Sequence, residues 1–159
     1  MALSNFSWVI PDRLAGSDLP GGGVRSAVAL RHDIEFLAGQ GVKLLVSLER
    51  PQGPVAAVCE ESGIRWRSFE IPDFGIPVNG KRFAKLIDEC VVSFSGDGPV
   101  CVHCRAGVGR TGMVLSCLVG AYLHLGPEKS IATVRTVRNA VENDLQRGFI
   151  ESFLEAYES

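Results

Sequence analysis

Short apolar runs alternate along this chain with longer segments of helical period, and glycine or proline separates most of them. Phe6 to Ile10 alternates apolar and polar residues as an edge strand does, and Pro11-Asp12 closes it. Leu14-Ala15-Gly16 reads as a second short strand, followed by a turn at Pro20-Gly21-Gly22-Gly23. Between Val24 and Gln40, the residues Ala27, Leu30, Ile34 and Leu37 recur at helical spacing, and Gly39 and Gly41 supply the stop. Val42 to Leu48 is a compact apolar strand. Pro51-Gln52-Gly53-Pro54 then loops into a short helix over Val55 to Glu61, and Ile64 to Ile71, rich in branched and aromatic residues, predicts another strand.

Pro72-Asp73-Phe74-Gly75-Ile76-Pro77 is a stiff loop that carries an acid. A helix starts from Asn79, with Phe83, Leu86, Ile87, Cys90, Val91 and Phe94 on one face. After the Ser95-Gly96-Asp97-Gly98 turn, Pro99 to Val102 predicts a buried strand and Met113 to Leu123 a buried helix. Gly126-Pro127 opens a further helix with Ile131, Val134 and Val137 inward, and a last helix carries Phe149, Ile150, Phe153, Leu154 and Tyr157. Strands alternating with helices imply an α/β fold, with a central, mostly parallel sheet of about five strands flanked by helices. Ligands of such folds bind at the carboxyl ends of the strands.

The 159 residues fit a single domain over 1–159. A net charge of −2 lacks the strongly basic face of a general nucleic-acid binder, so no nucleic-acid partner is expected and any basic patch must be local. The first residues show no basic segment leading into an apolar one, so no signal peptide is expected. No apolar run approaches membrane-spanning length, so no membrane partner is expected either. Cys59, Cys90, Cys101, Cys104 and Cys117 are odd in number and scattered, unlike a disulfide framework or a zinc pattern. His32, His103 and His124 form no metal-ligand spacing, so neither metal nor cofactor is expected. The simplest setting is a reducing one, the cytoplasm or the nucleus, and the simplest assembly a monomer.

The candidate chemistry sits where the Pro99–Val102 strand becomes the Met113–Leu123 helix. Cys104 and Arg110 are separated by five residues, Gly107 and Gly109 among them. A loop of that length can curl its N–H groups, including those of Arg105, Ala106, Gly107, Val108 and Gly109, onto one tetrahedral anion. Arg110 can fork onto two oxygens of the same anion. Amides, helix dipole and guanidinium together would hold the Cys104 sulfur as a thiolate, an in-line nucleophile toward phosphorus. A nucleotide-binding Walker loop would end in Gly-Lys-Ser/Thr, whereas this one ends in Gly-Arg-Thr. A buried structural cysteine is the default reading for Cys101 and Cys117.

The run His103-Cys104-Arg105-Ala106-Gly107-Val108-Gly109-Arg110-Thr111-Gly112 resembles the signature of the cysteine-dependent protein tyrosine phosphatases, His-Cys-x-x-Gly-x-x-Arg-Ser/Thr-Gly. Asn5-Phe6-Ser7-Trp8-Val9, Arg13-Leu14-Ala15-Gly16, Leu45-Val46-Ser47-Leu48 and Ile71-Pro72-Asp73-Phe74 extend the resemblance to the small single-domain dual-specificity phosphatases. It implies hydrolysis of phosphotyrosine, and of phosphoserine or phosphothreonine, in a phosphoprotein substrate through a cysteinyl-phosphate. Phosphate, vanadate or sulfate would occupy the loop as inhibitors. Phosphoinositide phosphatases of the superfamily often carry two lysines in the loop. Only Arg105 is basic here, with Val108 where the second would be, so a phosphoinositide or RNA 5′-phosphate substrate is the alternative. A phosphate-binding pseudophosphatase or scaffold is the non-enzymatic alternative, and nothing in the motif favours it. A rhodanese-type sulfur transferase would not need Asp73.

The departing oxygen needs a proton, and Asp73 is the best candidate for general acid; Asp88 and Asp97 are weaker rivals, and a helix-capping or turn role for Asp73 is the plain alternative. The resemblance agrees on Asp73. It also implies that Thr111 donates its hydroxyl to the departing sulfur, that His103 orders the loop, and that Gln146 places the hydrolytic water. Glu142 matches an acid of relatives, although Asn139-Ala140-Val141 replaces their Pro-Gly loop. Phe74 either flanks an aromatic substrate or belongs to the core. Lys81, Arg82, Arg105, Arg135 and Arg138 could form a basic rim. Cys101 or Cys117 could trap an oxidised Cys104 as a disulfide, although strand geometry directs Cys101 into the core.

Overall fold

The computed structural model describes residues 3–23, 27–51 and 53–158. The elements, in chain order, are β1 (Ser7–Ile10), β2 (Leu14–Ser17), α1 (Ala27–Gly39), β3 (Leu44–Ser47), α2 (Val55–Glu61), β4 (Arg65–Ser68), α3 (Gly80–Ser95), β5 (Val100–His103), α4 (Gly109–Leu123), α5 (Pro127–Arg135) and α6 (Asp144–Glu158). The expected start of the first helix, at Val24, and Gln52 of the expected loop both lie outside the described residues. The sheet runs β1-β2-β5-β3-β4, with β1 antiparallel to β2 and every other pairing parallel. It is therefore a mixed sheet that is mostly parallel, and Phe6–Ile10 does supply an edge.

The inner strands are buried on both faces, which is why they read as continuous apolar runs. On β5, Val100 and Val102 enter a core shared with α3, α4, α5 and α6. Cys101, between them, faces a second core made with α1 and α2. The Asn79 side chain caps α3 by accepting the Arg82 N–H (3.0 Å), and Phe83, Leu86, Ile87, Cys90 and Phe94 bury the predicted stripe. α4 begins four residues before Met113, inside the glycine-rich motif, and is buried along almost its whole length. α5 ends at Arg135, so Val137 lies beyond the helix and is 47% exposed rather than inward.

Strand order is what positions the site. β5 lies at the centre, flanked by β2 and β3, with β4 beyond. Their carboxyl ends deliver Asp18 and Leu19, Cys104, Glu49, and the Asp73 loop to one end of the molecule.

Candidate active site

From Cys104 to Val108 the chain crosses from β5 to α4, and each carbonyl along it has a partner outside the ring. The Cys104 carbonyl lies 2.9 Å from His103 Nδ1, and the Arg105 carbonyl accepts the Leu19 N–H at 3.0 Å. The Ala106 carbonyl accepts from Asn5 Nδ2 at 2.9 Å, and the Gly107 carbonyl from Arg138 Nη2 at 2.7 Å. A trans peptide sets each N–H opposite the preceding carbonyl, so carbonyls drawn outward turn the next amides inward. The Gly107 N–H shows the result: it donates to Cys104 Sγ at 3.3 Å. Gly107 has φ +79°, and a Cβ there would meet the Ser17 carbonyl oxygen at 2.6 Å and Arg138 Nη2 at 2.8 Å. Val108 gives α4 no side-chain cap, so the first amides of the helix add to the ring.

Arg110, in the first turn of α4, is buried, and protein groups hold one side of its guanidinium. Nη1 donates to the Ile71 carbonyl (3.0 Å) and to Glu49 Oε1 (2.9 Å), and Nη2 pairs with Asp73 Oδ1 (3.2 Å). The Nε–H and one Nη2–H have no partner among the described residues, which leaves a fork for an oxyanion. Glu49 also accepts from Arg105 Nη2 (2.8 Å) and Nε (3.1 Å). Burial raises the Glu49 carboxyl, but the two guanidiniums outweigh it and hold the group below its ordinary value. Glu49 is a residue that the sequence reading missed. Its only sequence mark is an acid just past the end of an apolar strand.

Asp73 sits in a turn closed by the Gly75 N–H on the Pro72 carbonyl (2.8 Å), with Phe74 at φ +60°. Asp73 Oδ1 accepts the Phe74 N–H at 3.1 Å besides facing Arg110, while Oδ2 has no partner among the described residues. One oxygen is thus held and the other is open. Phe74 is 58% exposed beside it, which removes the core alternative. The loop is tied to the start of α6, since Asn143 Nδ2 donates to the Phe74 carbonyl (3.0 Å) and Gln146 Nε2 reaches the Gly75 carbonyl (3.5 Å).

His103 links the loop to β3 and β4 through a chain of hydrogen bonds that the sequence did not reveal. Burial pushes its imidazole down to about 4, so it is neutral at ordinary pH. The Cys104 carbonyl can only accept, so Nδ1 carries the hydrogen and Nε2 accepts from the Ser47 hydroxyl at 2.5 Å. Ser47 Oγ in turn accepts the Trp66 indole N–H at 2.8 Å. The chain crosses β4, β3 and β5, with Ser47 and His103 in register.

The basic rim and the disulfide partners are the expectations that the structure corrects. Thr111 is buried, but its hydroxyl has no partner among the described residues and makes no hydrogen bond to Cys104 Sγ. Gln146 is buried with both ends of its amide engaged, Oε1 accepting the Glu142 N–H at 2.8 Å. It serves as a tie between loops in this state. The Glu142 carboxylate instead packs directly on Gly109, where a Cβ would lie 2.8 Å from its Cδ. The basic rim is mostly absent. Arg138 is buried on the Gly16 and Gly107 carbonyls (both 2.7 Å) and Ser7 Oγ (2.8 Å), Arg135 bonds the Ala140 and Val141 carbonyls (2.9 and 3.1 Å), and Arg105 is paired to Glu49. Cys101 faces the opposite core, with its thiol 3.6 Å from Ser17 Oγ and pushed up to about 12 by burial, and burial also raises Cys117. Neither buried thiol has the thiolate character of a ready disulfide partner.

A cysteine in an amide ring with an anchored arginine, on this mixed sheet, defines the cysteine-dependent phosphatase class. The chain belongs to the family described as "Swiss Army Knife protein, DSP-PTPase phosphatase domain", whose model matches residues 3–149. It is 35% identical over 94 residues to Tyrosine-protein phosphatase 1 of Caenorhabditis elegans, covering 54% of this chain and 9% of that protein. It is 24% identical over 153 residues to the human dual specificity protein phosphatase CDC14C, covering 92% of this chain and 33% of that protein. The chain spans a third or less of the length of the curated relatives it matches. Among solved structures, kinase associated phosphatase with its catalytic-site cysteine substituted by serine superposes with a TM-score of 0.82 at 20% identity, covering 100% of this chain and 98% of that one. No helix among the described residues is long and apolar enough to cross a membrane.

Proposed function

We propose that this chain hydrolyses phosphotyrosine, and also phosphoserine or phosphothreonine, in phosphoprotein substrates through a cysteinyl-phosphate. The observation that carries the reading is Cys104 Sγ under the Gly107 N–H, at the other end of the same loop from an anchored Arg110 whose Nε–H and one Nη2–H stay open. The loop amides and Arg110 take the phosphoryl oxygens, and the Cys104 thiolate attacks phosphorus as the P–O bond breaks. Asp73 delivers its proton from Oδ2 to the departing oxygen. A water then attacks phosphorus and gives its proton to Asp73, the S–P bond breaks with Thr111 donating to the sulfur, and phosphate leaves. Gln146, once released from the Glu142 N–H, is the group that would place that water, and Glu142 lies against Gly109. The scheme balances on protein groups and water alone. Phosphate, vanadate and sulfate would compete for the ring.

Arg105, the one cation within the loop, is occupied by Glu49, which favours protein over phosphoinositide. Five free buried cysteines support a reducing compartment, cytoplasm or nucleus, and we take the chain to act as a monomer. The test compares wild type and Cys104→Ser on an aryl phosphate, on phosphotyrosine and phosphothreonine peptides, and on a phosphoinositide. Turnover by the wild type alone, with phosphate still binding the variant, is expected. Retained turnover in Cys104→Ser refutes the scheme, and preference for the lipid refutes the substrate class.

A further inference from the structure

The open edge of the sheet at β4 takes no part in this chemistry. The Arg65 and Phe69 N–H groups donate inward, to the Lys43 and Ser47 carbonyls (both 2.8 Å), so the intervening even residues turn their backbone groups outward. The Arg67 guanidinium folds back onto the Trp66 carbonyl (3.1 Å), while the Ser68 N–H and carbonyl have no partner among the described residues. Two adjoining clefts of about 280 and 290 Å³ run between this edge and α3, sharing Ser68, Phe69 and Arg82. Phe69, Leu86 and the 87%-exposed Val78 supply apolar lining.

The acids that line the groove are Glu70 and Glu89, and Glu70 faces Arg50, outside the lining, at 3.8 Å. Arg67 and Glu89 neutralise each other at 2.8 Å, but Arg82 and Lys85 have no ion-pair partner among the described residues. Both are exposed, and Arg82 lies in the first turn of α3, where the helix dipole disfavours a cation and no acid offsets it. A chain of net charge −2 thus keeps two uncompensated cations side by side on one helix, one of them where the helix itself opposes it. Such a local conflict without internal relief is the kind of position where an external partner supplies the compensation. β4 also points toward the chemistry: from Ser68 to Asp73 the extended chain spans at most about 17 Å.

We propose that this groove binds an extended acidic stretch of the phosphoprotein substrate, flanking the phosphorylated residue. The stretch adds as a strand on β4 with its carboxylates over Arg82 and Lys85. The proposal rests on the phosphatase reading for its substrate. Neither cation belongs to the Cys104 ring or its supports, so the paired substitution Arg82→Glu and Lys85→Glu leaves aryl phosphate turnover unchanged. Against two phosphotyrosine peptides, one with acidic and one with neutral flanks, the substitution lowers kcat/KM for the acidic peptide about tenfold and changes the neutral one less than twofold. The milder pair Arg82→Gln and Lys85→Gln falls between. An acidic-peptide preference that survives charge reversal overturns the proposal. So does loss of binding to phosphoinositide-containing vesicles with both peptides unaffected, which would assign the groove to a membrane. Anisotropy with the acidic peptide lacking its phosphate separates the two readings. Binding that charge reversal abolishes supports the groove even if no turnover is found, and absent binding overturns it even if turnover is robust.

Discussion

Glu49→Gln tests the idea that Arg110 is held for its task by a carboxylate from the neighbouring strand end. The substitution keeps the size of the side chain and one acceptor oxygen, but removes the charge and turns an N–H₂ toward a guanidinium. Glu49 receives Arg110 at 2.9 Å and Arg105 at 2.8 and 3.1 Å. Arg105 is 55% exposed on its side chain, so solvent screens that half and it contributes little. The Arg110 half, with side-chain exposures of 5% and 14%, is the one that matters, and a hydrogen bond to a charged group there is worth about 1.5–3 kcal/mol. If that energy holds the fork in place, kcat/KM for an aryl phosphate falls about 10- to 100-fold, at about 1.4 kcal/mol per decade. The same pair links to pH. The Glu49 carboxyl is lowered in the folded state, so its stabilisation is complete above the ordinary value of 4.5 and disappears as pH falls through the lowered one. Urea titrations of wild type and variant should differ at pH 7 and converge below that value. Activity within twofold of wild type, with coincident urea midpoints at pH 7, would show that Arg110 is positioned by the Ile71 carbonyl and α4 alone.

Asp73→Asn should lower kcat about 100-fold or more for substrates with poor leaving groups and much less for good ones, and should abolish the fall in kcat with rising pH. An unchanged pH profile would move the acid elsewhere. Ser47→Ala leaves His103 Nε2 and the Trp66 indole without their shared partner, at a cost of about 1–3 kcal/mol for the buried nitrogen. It should slow both turnover and alkylation of Cys104 by iodoacetamide at pH 6, with Ser47→Thr restoring them; equal alkylation rates in all three proteins would reduce the chain of hydrogen bonds to a packing role.

The candidate site was legible where its residues are neighbours along the chain. Cys104, the two loop glycines and Arg110 fall within one short run where a strand becomes a helix, and Asp73 lies on a loop stiffened by Pro72 and Pro77. Boundaries inside that motif were less legible. α4 starts at Gly109, where glycine, arginine and threonine show no apolar period, and its first turn is specified by the loop's geometry instead.

What supports the loop had no such signature. Asn5, Glu49, Ser47, Trp66 and Arg138 come from segments far from Cys104 in the chain, and each reaches the loop because β5 lies between β2 and β3 with β4 beyond. Hydrophobic period says which face of a strand is buried; it does not say which strand lies beside it, or in what register. The same limit explains Arg138, read as a rim cation and found holding the back of the loop. By itself the sequence determined the alternation of strands and helices, the thiol, the arginine and the acid. Tertiary structure alone decided how the loop's carbonyls are drawn outward and its arginine anchored, because those contacts depend on strand order and register rather than on neighbours along the chain.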